Sequence, residues 1–200
     1  DKCDMDSYTE TCDYDDDGIC NKCGYKRLPD PVLVYEDEEV VVTVSGAIPE
    51  NADLKVTPIK KDKDETKQAY EAVDTRLKEK IDIDEANAYG FLAYDISFKD
   101  IETSEEVEPT GDVNVKMEYK AAIMPDNADE INSCGEVEIS LVHFNEQTDT
   151  VENLSDLSRA DCQIDNNNAL TKAEFSSDSF STYVVTWVAT SSASVKLNFK

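Results

Sequence analysis

Hydrophobic and polar residues alternate along much of the chain from residue 32 onward. In the segment DVNVKMEY every second residue is apolar, namely Val113, Val115, Met117 and Tyr119, and the residues between them are polar. A period of two is typical of a β-strand with one face on a core and the other in water. Further strand-like segments, several of them rich in β-branched residues, lie at 39–46, 53–60, 91–98, 136–144 and 194–199.

The segment STYVVTWVAT (181–190) differs because its middle is apolar on both faces. This pattern predicts a central strand that is covered on both sides, with Trp187 as a core residue. About ten short strands separated by acidic turns predict a mostly-β fold, an antiparallel Ig-like β-sandwich.

One segment, 63–80, has helical rather than strand periodicity. The capping-box spacing of Asp62 and Glu65 predicts its N-terminus. Its remaining faces carry Glu and Lys at helical neighbour spacings, so we predict a solvated surface helix over one edge of the sheets. Its apolar residues form a single stripe: Tyr70, Val73 and Leu77.

The first 28 residues have a different composition from the rest. They contain four cysteines, many aspartates and few aliphatic side chains, and Leu28-Pro29-Asp30-Pro31 follows as an extended link. A segment of this kind cannot build a core, so cross-links or a metal must hold it. We therefore predict two domains, a Cys/Asp-rich module at 1–28 and a β-sandwich at 32–200.

The cysteines of this module are candidate metal ligands. Cys20-x-x-Cys23-Gly24 has the spacing of a zinc knuckle, in which two thiolates grip one tetrahedral ion and the glycine permits the turn behind them. Cys3 and Cys12 are the remaining local candidates for a zinc site. Two disulfides would staple the module equally well in an oxidising compartment, so both interpretations stay open.

The aspartates of the same loop suggest calcium instead. Asp13, Asp15 and Asp17 match the opening of an EF-hand-type loop, and Asn21 stands at its ninth position. The twelfth position, where a bidentate glutamate belongs, is Gly24. The segment is more similar to the calcium loops of dockerins and thrombospondin type 3 repeats, and a solvated acidic turn is the alternative.

Two further cysteines, Cys134 and Cys162, each lie next to a predicted strand. A disulfide between them would be worth roughly 3–4 kcal/mol on the chain-entropy model. We predict this bond, with two buried thiols as the alternative.

The formal net charge of −26 limits the possible partners. Nucleic acids and anionic membranes are bound through clustered Lys and Arg, and such clusters are absent from the sequence. No stretch approaches the ~20 apolar residues that a membrane span requires, so we expect no membrane insertion of this segment. An even number of cysteines, six, favours an extracellular setting.

The sequence contains no recognisable catalytic motif. His143 is the one histidine, on an alternating strand, and G-x-S-x-G, H-E-x-x-H and glycine-rich phosphate loops are absent. Because 45 acidic residues make chance carboxylate pairs unavoidable, none of them can be singled out. We therefore assign no catalytic residue and expect that the chain is not an enzyme.

Several segments, in the same order, resemble a module of long cell-wall-anchored surface proteins of Gram-positive gut bacteria. They are VYEDEEVVVTVSGAIPENADLKVTPI, GFLAYDISF, VEPTGDVNVKMEY and DSFSTYVVTW. The acidic D-x-D-G-x-C-x-x-C-G pattern of the N-terminal module also recurs in such proteins. The resemblance implies a secreted, Ig-like domain that is anchored to the cell wall through other parts of a longer parent chain.

The same resemblance implies a binding function without a catalytic residue. We expect a non-enzymatic module, of the adhesin or immunoglobulin-binding type, that binds a host extracellular protein at the mucosal surface. A structural spacer and a carbohydrate-binding module are the alternatives. The sequence does not identify the binding residues.

Overall fold

The computed structural model describes residues 2–5, 8–13, 15, 17, 19–26, 31–80, 88–145, 148 and 150–190. The chain divides into two compact units, Asp1–Pro31 and Val32–Lys200. The strand predicted at 194–199 lies outside the described residues.

The first unit contains a short antiparallel hairpin. Strand β1 (Lys2–Met5) pairs with β2 (Tyr8–Thr11). Further along, Ile19 and Lys26 form an isolated antiparallel bridge, which closes the loop that carries the Cys-x-x-Cys segment.

The second unit contains eleven strands and two helices among its described residues. In chain order they are β3 (Val32–Glu36), β4 (Val40–Gly46), β5 (Ala52–Ile59), α1 (Lys67–Lys80), β6 (Ala88–Asp100), β7 (Glu106–Val107), β8 (Val113–Ile123), α2 (Ala128–Ser133), β9 (Glu136–Asn145), β10 (Thr150–Asn153), β11 (Ala160–Ile164), β12 (Leu170–Ser177) and β13 (Thr182–Thr190).

These strands form two antiparallel sheets. The five-stranded sheet has the order β11-β12-β8-β4-β3, and the six-stranded sheet has the order β10-β9-β13-β6-β5, with β7 also paired to β6. Every strand pair in them is antiparallel. The prediction of a mostly-β fold with antiparallel layers is therefore confirmed.

One hydrophobic core joins the two sheets. On β8 the predicted alternation is present, since Val113, Val115 and Met117 are buried while Asn114 and Glu118 are exposed. On the facing sheet the core residues are Leu92, Tyr94, Ile96 and Phe98 of β6 with Tyr183, Val185 and Trp187 of β13. The pattern of period two thus identified the residues of β8 and β6 that face the core between the sheets.

A second core lies on the other face of the six-stranded sheet, under α1. Val184 and Val188 of β13 belong to it, together with Val73 and Leu77 of the helix. Strand β13 is therefore covered on both sides, as its sequence predicts. The helix lies over the face of the sheet, so the prediction that it covers an edge was wrong.

The predicted start of the helix was also wrong. The helix begins at Lys67, and the Lys67 N–H donates to the Lys63 carbonyl at 2.8 Å. The Thr66 hydroxyl is engaged with the Lys60 backbone, donating to its carbonyl at 2.9 Å and accepting from its N–H at 3.0 Å. These bonds hold the turns that follow β5, and the helix starts only after them.

The second helix, α2, was missed by the sequence analysis because it has only six residues. Its Ile131 is fully buried in the core between the sheets. Close approach of this region to β6 requires Gly90, since a Cβ there would lie 2.5 Å from the Asn127 Oδ1 atom and 2.7 Å from the Pro125 Cβ atom.

We therefore predict that Gly90→Ala destabilises the protein by about 1–3 kcal/mol, the usual effect of overpacking. Urea unfolding measures this free energy. Gly111→Ala is the control, because its new Cβ would meet a single atom, the Ala47 Cβ, at 3.3 Å. Equal stability of the Gly90→Ala variant and the wild type would show that the 125–127 loop moves away without cost.

Candidate functional site

Three cysteine side chains of the N-terminal unit converge. The sulfur atoms of Cys12, Cys20 and Cys23 all lie within 4.8 Å of one another. Cys20 is buried, Cys12 is half-buried and Cys23 is exposed. We call these three residues the thiol cluster.

The local backbone explains why the thiol cluster forms. Gly24 has a φ of 70°, a left-handed conformation that favours glycine, and its N–H donates to the Cys20 carbonyl at 2.8 Å. This turn places Cys23 beside Cys20. The Asn21 N–H donates to the Asp13 carbonyl at 2.7 Å, which holds the segment after Cys12 against the same turn.

The thiol cluster can hold a metal ion. In a tetrahedral site with metal–sulfur bonds of about 2.3 Å, neighbouring sulfur atoms are about 3.8 Å apart. Sulfur atoms within 4.8 Å of one another are therefore close to the spacing that such a site requires. The predicted fourth ligand, Cys3, lies in β1 with its backbone opposite Glu10, and its role stays a prediction.

The aspartates of the same loop have a different arrangement. The Asp15 carboxylate accepts the N–H groups of Asp17, at 3.1 Å, and Ile19, at 2.8 Å. Among the described residues, the carboxylates of Asp13, Asp15 and Asp17 form no converging group of three. Asp15 thus organises the turn that leads into the thiol cluster, and the predicted calcium site gains no support from this geometry.

Cys134 and Cys162 both pack against the core between the sheets and are thiols in this structure. The Cys134 thiol donates to the Glu130 carbonyl at 3.4 Å. Burial raises the pKa of the Cys162 thiol to about 12, so it is a poor nucleophile near neutral pH. The disulfide between them stays a prediction.

His143, the one histidine, lies in a buried polar group that the sequence did not predict. Its Nε2 atom is 3.0 Å from the Ser181 Oγ atom, and its Nδ1 atom is 3.7 Å from a carboxylate oxygen of Glu152. The imidazole also stacks on the Tyr183 ring with a centroid distance of 4.5 Å. In space, the histidine lies between a serine hydroxyl and a carboxylate, which is also the arrangement of hydrolase triads.

The hydrogen bonds within this group favour a structural role. The Ser181 hydroxyl donates to the Phe144 carbonyl, so toward His143 it acts as an acceptor and the Nε2 atom as the donor. A histidine that already carries its proton on Nε2 cannot take one from the serine. The group therefore ties β9 to the residue preceding β13, and burial lowers the pKa of His143.

This lowered pKa predicts a loss of stability in mild acid. Because the unfolded chain binds the proton more readily, the contribution of His143 is complete above about pH 6.5 and decreases below it, by at most about 1.4 kcal/mol per pH unit. The free energy of unfolding should fall more between about pH 7.5 and about pH 5.5 in the wild type than in His143→Gln, which does not titrate. Parallel pH profiles of the two proteins would contradict this assignment.

Two adjoining cavities lie beside the start of α1 and the first half of β6. They have volumes of about 220 Å³ and about 520 Å³. Both are lined by five shared residues: Lys61, Tyr70, Phe91, Pro125 and Asp126. We call these adjoining cavities the β6 groove. The Tyr70 ring stacks on Phe91 with a centroid distance of 4.6 Å and forms part of its wall.

Another cavity, of about 550 Å³, lies on the outer face of the five-stranded sheet. Its lining is largely polar and includes Thr43, Asn114, Lys116 and Glu174. The one aromatic residue in the lining, Phe175, is buried. This cavity therefore offers no exposed aromatic ring on which a sugar could stack.

Comparison of the chain with protein-family models, curated proteins and solved structures gave no match. Among the described residues, neither helix has the length and apolar character needed to cross a membrane.

Proposed function

We propose that this chain is a non-enzymatic recognition module of a secreted, cell-wall-anchored surface protein. Its ligand would be a host extracellular protein at the mucosal surface, with immunoglobulin as the first candidate. The observation that carries the proposal is the exposed edge strand β3. Val32 and Val34 on this strand are 56% and 60% exposed, while the alternate residues Leu33 and Tyr35 pack on the core.

An exposed edge strand with apolar side chains suits protein recognition. Within the described part of the chain, β3 is the last strand of its sheet. Its outer backbone groups can therefore pair with a strand of a partner, and its side chains provide apolar contact. A spacer has no use for such a surface, and it would be a disadvantage there because apolar groups on an open edge promote unwanted association. The net charge of −26 adds a preference for partners with basic surfaces.

Surface plasmon resonance with purified secretory immunoglobulin, and albumin as a negative control, tests this proposal. We expect saturable binding to immunoglobulin that is weakened at least about tenfold by Val32→Lys combined with Val34→Lys, since the β3 contact is apolar. The matched control is Ile101→Lys combined with Leu157→Lys, because these apolar residues are also exposed, at 67% and 58%. Absence of saturable binding by the wild type would favour the spacer.

We also propose that zinc is the metal of the N-terminal unit. Thiolates are soft ligands and select zinc over calcium or magnesium. A Cys-x-x-Cys turn closed by a glycine in the left-handed conformation, as in Cys20 to Gly24, is the local geometry that zinc knuckles use. The unit has few aliphatic side chains, so bound zinc would supply much of its folding free energy.

Elemental analysis together with thiol titration tests the zinc proposal. We expect about one zinc per chain in the wild type and its loss in Cys20→Ser, because this change removes a buried ligand. Cys134→Ser, a change at a cysteine of the other unit, should retain the metal. A metal-free protein without titratable thiols in the N-terminal unit would instead establish the disulfides.

A further inference from the structure

Strand β6 has an edge that its neighbour leaves open. Strand β5 ends at Ile59, which is opposite Ala93. Strand β6 extends back to Ala88 and remains paired with β13 along its other edge. Among the described residues, the segment Ala88–Leu92 therefore has no strand partner on the β5 side, and we call it the open edge of β6.

The direction of the backbone groups along this edge follows from two hydrogen bonds. The Ile96 N–H donates toward β13, to the Ser181 carbonyl at 3.0 Å. The Tyr89 carbonyl accepts from the Asn127 side-chain amide at 2.9 Å, on the opposite side. Because backbone groups alternate along a strand, the N–H and C=O of Phe91 face the open edge as well.

The β6 groove surrounds this open edge. On the side of α1 its wall is formed by Tyr70 stacked on Phe91. On the other side it is formed by Met124 and Pro125, which follow β8. An extended peptide that pairs with Phe91 would direct its side chains alternately toward these two walls.

The charge of the groove favours a cationic occupant. Asp62 and Asp126 line it and are exposed, and Glu130 lines the larger cavity. The ammonium of Lys60 is 2.5 Å from a carboxylate oxygen of Glu39, so much of its charge is already balanced. Asp74 also lines the larger cavity and is paired with Lys78 at 2.7 Å. The remaining lysine of the lining, Lys61, is then outnumbered by the carboxylates of Asp62, Asp126 and Glu130.

We propose that the β6 groove binds an extended, lysine- or arginine-containing peptide segment of another protein, which adds as a strand to the open edge of β6. This inference goes beyond the proposed function, because the site is separate from the β3 edge and its ligand is defined by backbone pairing and positive charge. A second copy of the chain is disfavoured as the occupant, since each copy carries a net charge of −26.

Fluorescence anisotropy with a labelled peptide of alternating lysine and valine, acetylated and amidated at its ends, tests the proposal on the full chain. We expect saturable binding, and none of the matched glutamate–valine peptide. Asp62→Lys combined with Asp126→Lys should weaken binding of the cationic peptide at least about tenfold. The control, Glu102→Lys combined with Glu105→Lys, makes the same change in net charge at the other end of β6 and should leave binding nearly unchanged.

Amide hydrogen exchange then distinguishes strand addition from general attraction to an acidic protein. The bound peptide should slow hydrogen exchange of the Phe91 amide. Exchange of the Leu92 amide should not change, because the backbone groups of Leu92 face β13 and are already paired with it. Equal weakening by both charge reversals, or no protection of Phe91, would overturn the proposal. Neither measurement uses a host protein. Failure of the peptide proposal therefore leaves the immunoglobulin proposal untouched, and failure of the immunoglobulin proposal leaves the peptide proposal untouched.

Discussion

The burial of the six-stranded sheet on both faces is the constraint on which the rest of the second unit depends. Val184 and Val188 of β13 contact the layer under α1, while Tyr183, Val185 and Trp187 contact the five-stranded sheet. Since the burial of apolar area is the main favourable contribution to folding, a strand that contributes to both cores fixes the position of its neighbours. The open edge of β6 lies beside this fixed strand, at the point where β5 no longer continues.

The sequence predicted the strands whose burial it encodes directly. In β8 a core on one side and water on the other produce a clean alternation, and its buried residues were identified correctly. Strand β6 is buried on both faces, and the predicted residues Tyr94, Ile96 and Phe98 lie in the core between the sheets. Strands β10 and β11, with four and five residues, are mostly polar and depend on pairing with a neighbour. The position of α1 could not be predicted from the sequence. Its stripe of Val73 and Leu77 shows that one face is buried but not which surface covers that face.

The candidate sites differ in the same way. The thiol cluster was predictable in part, because Cys20, Cys23 and Gly24 specify their own turn within five residues. The contact of Ser181 with His143 was not, since 38 positions separate them in the chain. The β6 groove has no sequence signal at all, because it exists where β5 stops at Ile59 and two unrelated segments flank the strand beyond it.

The negative charge of the chain opposes the self-association that its open strand edges would favour. Unpaired strand edges favour association with any other edge, including that of an identical molecule. A net charge of −26 opposes contact between copies and lowers the barrier for a basic partner. The Lys60–Glu39 ion pair keeps one of the two lysines that line the groove from neutralising Asp62 and Asp126. An edge that would promote self-association in a neutral protein can thus remain available in this one, and the negative charge favours basic partners for it.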